Sequence, residues 1–356
     1  MMTLRQFARQ LESIPLATSW YLGDLGEARG KQELFTRQSP QRLKILREHA
    51  LVESAVSSNR IEGVTVEQSR IATVVFGKAR LRNRDEEEIR GYRNALALIH
   101  EQGDKLPASE ETILRLHSLS HSAGDAGQYK EKDSDIIEKH PDGRVYVRFK
   151  TVPADKTPAA MQELFLLWRD CIHQNRFPPM IAMAAMNLDF LCIHPFRDGN
   201  GRVSRLLLLL QCYHLGYEVG RYISLERLIE ENKDRYYETL AQSSEGWHEG
   251  KHDPWPYINY LLFILKLAYR EFEERIEHIG SPKGAKSETV LRAIRKRSGA
   301  FRLADIERAC PGVGRELIRR LMGELRKSGE LVCRGRGPAA RWYYWPKPGN
   351  SGNNST

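Results

Sequence analysis

From Pro40 to about Gln102 the apolar residues fall at helical spacing, first Leu43, Ile45, Leu46, Ala50 and Leu51, then Ile71, Val74 and Val75. Gly77 interrupts the pattern, and Ile89, Tyr92, Ala95, Leu96 and Ile99 resume it over Glu86 to His100. The same spacing predicts helices over Glu110 to His121 and Pro158 to Gln174. Between these two the texture changes. Ile136 to Phe149 alternates on its second arm and carries Asp142-Gly143 in its middle, which predicts a β-hairpin.

After Pro178 and Pro179 a strongly apolar helix is expected through Ile181, Met183, Met186, Leu188 and Phe190 to Ile193. A polar, glycine-rich loop follows, then a helix from Val203 to about Leu215 that Gly216 is suited to stop. Two apolar helices around a polar loop make a rigid mount for chemistry. Helices over Leu225 to Gln242 and Pro254 to His278 lead to a linker at Gly280 to Gly284. Beyond it, Glu288 to Arg297, Leu303 to Ala309 and Arg315 to Lys327 read as three short helices, with Pro311 to Gly314 turning between the last two. A hairpin over Leu331 to Trp345 completes a winged-helix plan, and the polar residues 347–356 read as a disordered tail. The expected fold class is therefore mainly α, a helical core with a β-hairpin flap plus a C-terminal winged-helix-like domain. The expected units are residues 1–104, 105–280 and 281–346.

The chain has 356 residues, 41% of them hydrophobic and 28% charged, a composition that excludes wholesale disorder. The longest purely aliphatic run, Leu206 to Leu210, is far short of the ~20 residues that a membrane span needs. Arg5, Arg9 and Glu12 break up the N-terminal apolar residues, so a cytoplasmic protein without a secretory signal is expected. Five cysteines with no C-x-x-C pair point to reduced packing residues rather than zinc or redox chemistry. Charge is uneven. From Ser281 onward there are 17 Lys or Arg against 6 Asp or Glu, a local balance of +11 that leaves the preceding 280 residues at −2. The C-terminal unit should seek acidic partners.

The candidate chemistry lies in the loop His194-Pro195-Phe196-Arg197-Asp198-Gly199-Asn200-Gly201-Arg202-Val203-Ser204-Arg205. Gly199 and Gly201 let the backbone turn tightly and present N–H groups at the start of the next helix, a phosphate cradle. Arg202 and Arg205, three apart, are expected to aim at the same polyphosphate. Asp198 offers the hard oxygen that Mg²⁺ shares with phosphates. His194 is suited to take a proton near neutral pH, and Phe196 is expected to face inward as an anchor.

This loop is similar to the core motif of the Fic family, H-x-F-x-[DE]-G-N-G-R-x-x-R, at every specified position, and the resemblance spans about Pro40 to His278. It implies an enzyme that transfers AMP from ATP, with Mg²⁺, to a protein hydroxyl. His194 would deprotonate a Ser, Thr or Tyr of a target protein, or of the enzyme itself, which attacks the α-phosphorus. Asp198 would hold Mg²⁺, while Gly199, Asn200, Gly201, Arg202 and Arg205 orient the anion. The relative Doc has Lys where Gly201 stands and phosphorylates instead, so Gly201 favours AMP transfer. By the same resemblance Val147, Arg148, Phe149 and Lys150 form a flap beside the nucleotide, and Tyr236 lies near the adenine. A second segment, Ser58-Asn59-Arg60-Ile61-Glu62-Gly63, resembles the family's inhibitory signature [ST]-x-x-x-E-[GN]. Ser58 and Glu62 would share one helix face, Gly63 would end the helix, and Glu62 would pair with Arg205 where the ATP γ-phosphate belongs.

Two alternatives stand beside this reading. One is removal of AMP from a modified protein, with the same glutamate activating water. The other is a nucleic-acid-binding regulator whose core senses nucleotide, binding DNA through residues 281–346. Arg315, Arg319 and Arg320 would then lie on a recognition helix, with Arg334, Arg336 and Arg341 in a wing. The sequence names no target and leaves a homodimer open.

Overall fold

In the computed structural model, residues 1–36, 40–77, 80–139, 144–278, 285–297, 299–310, 313–335, 337 and 340–345 are described. The Asp142-Gly143 turn, the whole Gly280 to Gly284 linker, Pro311 and Gly312, Arg336, Pro338 and the 347–356 tail lie outside them. The chain forms α1 (Thr3–Arg9), α2 (Leu16–Thr36), α3 (Pro40–Ile61), α4 (Ile71–Phe76), α5 (Arg84–Gln102) and α6 (Glu110–Ser120). A hairpin of β1 (Ile136–Lys139) and β2 (Val145–Phe149) follows. Next come α7 (Thr157–Gln174), α8 (Pro179–Ile193), α9 (Asn200–His214), α10 (Leu225–Glu231), α11 (Lys233–Ser244) and α12 (Trp255–His278). The C-terminal unit is α13 (Ala285–Arg295), α14 (Leu303–Ala309), α15 (Arg315–Lys327) and the pair β3 (Leu331–Arg334) and β4 (Arg341–Tyr344). The fold is mainly α, with two small antiparallel hairpins among the described residues.

The centre is α8. Every residue from Met180 to Ile193 is buried, as a helix apolar on all sides requires, and α1, α7, α9, α11 and α12 pack around it. Polar caps start α5, α6 and α10: Asn83 accepts from the Glu86 N–H, Ser109 from Thr112 and Ser224 from Arg227. One hydrophobic cluster runs from Met2 to Ile276, and a second, around Ile294, Phe301, Ile318 and Leu331, belongs to the C-terminal unit. The pairing Ile137 with Val147 and Lys139 with Val145 sets the first hairpin in antiparallel register.

Three elements depart from the sequence reading. The helix expected over Leu225 to Gln242 is two helices, because Asn232 caps the end of α10 and turns its amide onto the Leu228 carbonyl at 2.8 Å. The helix expected from Val203 begins at Asn200, with Gly199 at φ +82° as its N-cap. Residues 3–36 hold α1 and α2, which no continuous apolar stripe marks in the sequence.

Candidate active site

The loop is built by the way α8 stops. His194 adopts φ +54°, a left-handed backbone, while its N–H still donates to the Phe190 carbonyl at 2.9 Å. Such a conformation is costly for a side-chain-bearing residue and persists only when its surroundings hold it. Phe196, fully buried, stacks on His117 at 3.8 Å between ring centroids. Asn200 closes the loop from the other end, accepting from the Phe196 N–H at 2.9 Å and donating to its carbonyl at 2.7 Å. Asn200 is buried and spends its amide on the backbone, so it shapes the loop instead of reaching an anion. His117 adds a third tie. Its Nδ1 accepts from the Gly127 N–H at 2.9 Å, so Nε2 carries the proton and donates to the Asp198 carbonyl at 3.1 Å. Burial holds this imidazole neutral, at about 4.

His194 opens onto a cavity of about 550 Å³ whose wall includes Glu62, Arg148, Phe149, Gly201 and Tyr236. Its Nδ1–H faces the Leu191 carbonyl at 3.3 Å, an oxygen that can only accept, which leaves Nε2 as the basic nitrogen. Burial first, and the Lys130 charge second, pull this imidazole down to about 4, so it is neutral and able to take a proton at neutral pH. Arg205 lies on the same helix turn as Gly201. It donates from Nη2 to Glu62 Oε1 at 2.7 Å and to the Ser58 carbonyl at 3.0 Å, and from Nε to Ser58 Oγ at 2.9 Å. Its buried Nη1 has no hydrogen-bond partner among the described residues. Gly63, at φ +85°, ends the turn that carries Glu62.

Several expectations need correcting. Arg202 and Arg205 do not converge. Arg202 is 1% exposed and turned towards Glu88 of α5, Nη1 to Oε2 at 2.8 Å, and towards the Ser120 carbonyl at 3.2 Å. It ties three helices together. Gly201 serves close approach rather than a turn, because a Cβ there would come within 2.3 Å of Glu62 Oε1. Asp198 is half exposed beside Arg84, Oδ2 to Nη2 at 3.2 Å, and is not on the wall of the His194 cavity. Of the flap residues, Arg148 and Phe149 reach the cavity and Arg148 donates to the Tyr237 carbonyl at 2.9 Å. Val147 is about half exposed on β2, and the Lys150 carbonyl contacts His248 Nε2 at 2.6 Å. Tyr236, 3% exposed, both packs and lines the cavity.

Among the described residues, one group of side chains could hold a divalent cation, although Arg84 and Arg202 already face its carboxylates. Asp198, His121 and Glu88 offer ligand atoms within 4.8 Å of one another, and the buried His121 Nδ1, 3.9 Å from Asp198 Oδ2, has no hydrogen-bond partner among the described residues. Glu88, His117 and His121 carry no signal of their own in the sequence. They sit inside ordinary helical patterns, and only the packing of α5 and α6 against α9 brings them to the loop.

Residues 107–212 match the family model described as Fic/DOC family. Proteins named Protein adenylyltransferase Fic are similar over part of their length. That of Drosophila yakuba is 24% identical over 179 residues, 44% of this chain and 34% of that protein. That of Drosophila persimilis is 24% identical over 216 residues, 59% of this chain and 39% of that protein. The chain thus spans well under half the length of these curated relatives. Among solved structures, a Fic family protein from Desulfovibrio desulfuricans superposes with TM-score 0.60 at 21% identity, covering 95% of this chain and 98% of the other. Fic-1 of Caenorhabditis elegans does so with TM-score 0.59 at 18% identity, covering 74% of each chain. At those identities the likeness is one of fold. Fold and loop together resemble those of Fic family proteins. The stretch that matches the Fic/DOC family model contains the whole loop from His194 to Arg205.

Proposed function

We propose that this protein transfers AMP from ATP to a Ser, Thr or Tyr hydroxyl of a target protein, its own chain included, and that Glu62 holds the reaction off. The observation that carries the reading is the meeting of a neutral His194, the Gly201 end of α9 and the Glu62–Arg205 pair at one cavity. The hydroxyl oxygen would attack the α-phosphorus, the bond to pyrophosphate would break, and the proton would pass to His194 Nε2. The N–H groups at the start of α9 would face the phosphates. Arg205 would receive the γ-phosphate once Glu62 leaves. Asp198, with His121 and Glu88 beside it, would hold Mg²⁺, which when bound supplies charge neutralisation for the phosphates. Tyr236 and Phe149 would flank the adenosine.

The test is His194→Ala in a Glu62→Gly background. Incorporation of labelled AMP should vanish while ATP binding, followed by calorimetry, stays within about threefold, because the base is lost and the cradle is kept. Unchanged incorporation would overturn the mechanism. A second reading, removal of AMP, draws on the Glu62 carboxylate facing the same cavity as His194. It predicts that Glu62→Gly abolishes release of AMP from a modified protein. The C-terminal unit, three helices and a hairpin in the part of the chain that carries a local balance of +11, supports a further role in binding DNA.

A further inference from the structure

We infer that Lys130 is a positioning residue for His194, holding the backbone on both sides of it. The inference rests on the reading of His194 as the base. Lys130 lies in the segment between α6 and β1, and its side chain is 4% exposed. Its backbone N–H donates to the Pro195 carbonyl at 2.9 Å, and its ammonium donates to the Ile193 carbonyl at 3.3 Å. The two carbonyls belong to the residues immediately before and after His194. One side chain and its own backbone therefore span the residue whose φ is +54°. The Ile193 carbonyl is also one of the last in α8, where a cation is favoured by the helix dipole.

The ammonium has a third partner, Thr151 Oγ1 at 2.7 Å, and Thr151 in turn donates from Oγ1 to the Ser134 carbonyl at 2.9 Å. Thr151 follows β2 by two residues, so Lys130 joins the base of the flap to the loop. Ser134 lines the His194 cavity, which makes the chain flap base, Lys130, His194 continuous. A buried ammonium with these oxygen acceptors is well satisfied, and Lys130 has no other evident task here.

Charge gives the second part of the argument. The charged groups acting on the His194 imidazole are Lys130, Glu62 just beyond α3 and Asp198, and Arg148, Arg197, Asp135 and Glu245 line the same cavity. Asp133 and Asp135 act on Lys130 in turn. Lys130 lowers the proton affinity of His194, whereas Glu62 and Asp198 raise it. Burial brings the Lys130 ammonium itself down to about 8, so it remains mostly charged at neutral pH. Removing that charge should move the His194 titration upward.

The experiment uses the full chain with Glu62→Gly as parent and adds Lys130→Met, Lys130→Gln or Lys130→Arg. Its readouts are initial rates of AMP transfer against pH and NMR titration of the His194 ring, identified as the resonance absent from His194→Ala. In Lys130→Met, kcat should fall about tenfold or more with the Kd for ATP within about twofold, since the base is displaced and the phosphate cradle is not. The His194 titration and the acid limb of the rate profile should both shift to higher pH in the Met and Gln variants. Both should stay in place in Lys130→Arg, which keeps charge and donors, and Gln should recover part of kcat through its bond to Ile193. If Lys130→Met does not fold, the Gln and Arg variants make the same comparison. An identical His194 titration in parent and variants would overturn the inference. A parent that transfers no AMP would instead overturn the reading of the reaction, and the NMR titration would still report whether Lys130 acts on His194.

Discussion

Glu62→Gly should release the transfer activity, and the structure bounds how far. The substitution removes a charge-assisted hydrogen bond of 2.7 Å between Glu62 and an Arg205 side chain that is 3% exposed. Hydrogen bonds to charged groups contribute about 1.5–3 kcal/mol, which corresponds to a roughly ten- to hundredfold change in the fraction of molecules free to seat the γ-phosphate. Tethering strengthens the effect, because Glu62 is held at its site by α3 and free ATP competes with a high local concentration. Arg205 should not drift once Glu62 is gone, since the Oγ and carbonyl of Ser58 still hold two of its nitrogens. Ser58 therefore positions the arginine while Glu62 occupies it. The assay is initial-rate incorporation of α-labelled ATP into the enzyme and into lysate proteins at matched nucleotide concentration. ATP should still bind the wild type, because the cavity beside Tyr236 is not filled by Glu62. A wild-type rate equal to that of Glu62→Gly would refute the reasoning and leave Ser58 to Gly63 as a helix end.

Arg202→Ala should cost about 1.5–3 kcal/mol of stability, because it removes one of the two guanidinium partners of the buried Glu88 and leaves only Arg84, and thermal unfolding should register it even without nucleotide. An unaltered melting profile would return Arg202 to the phosphates. His49, His117, His194 and His252 are held near 4, and His100 near 3, chiefly by burial. Unfolded histidines take protons below about 6.5 while these stay neutral, so the unfolded chain binds more protons and stability should fall as pH drops from 6.5 towards 4, by at most about 1.4 kcal/mol per pH unit for each. Urea unfolding at pH 7.5 and pH 5 checks this, and equal stability would contradict it. The full chain should bind duplex DNA with an affinity that declines steeply with salt, and Arg319→Ala with Arg334→Ala should reduce that slope. No DNA binding at low ionic strength would favour a protein-docking role for the C-terminal unit.

Much of this architecture was readable because the helices of the core carry apolar stripes at a single period, and α8 so completely that its central place follows from composition alone. α2 escaped because Gly23, Gly26 and Gly30 interrupt Leu16 to Thr36 and no continuous stripe remains. Within the site, the loop was legible as a unit, but the directions of its side chains were not. A spacing of three puts Arg202 and Arg205 on neighbouring faces of α9, and nothing local tells which acid each will meet. Glu88 claims one and Glu62 the other, from 114 and 143 residues away in sequence. Gly201 carries the same lesson in sharper form. Read locally, it is a residue that lets a backbone turn, yet Gly199 alone takes the positive φ and Gly201 is already helical. What a Cβ at 201 would meet is the carboxylate of Glu62, whose Oε1 would lie within 2.3 Å of it and would have to move. The bare start of α9 is thus shaped to admit an anionic group closely. Glu62 now fills the space that, on the proposed mechanism, a phosphate would enter, so the inhibitory contact and the substrate contact are one site with two alternative occupants.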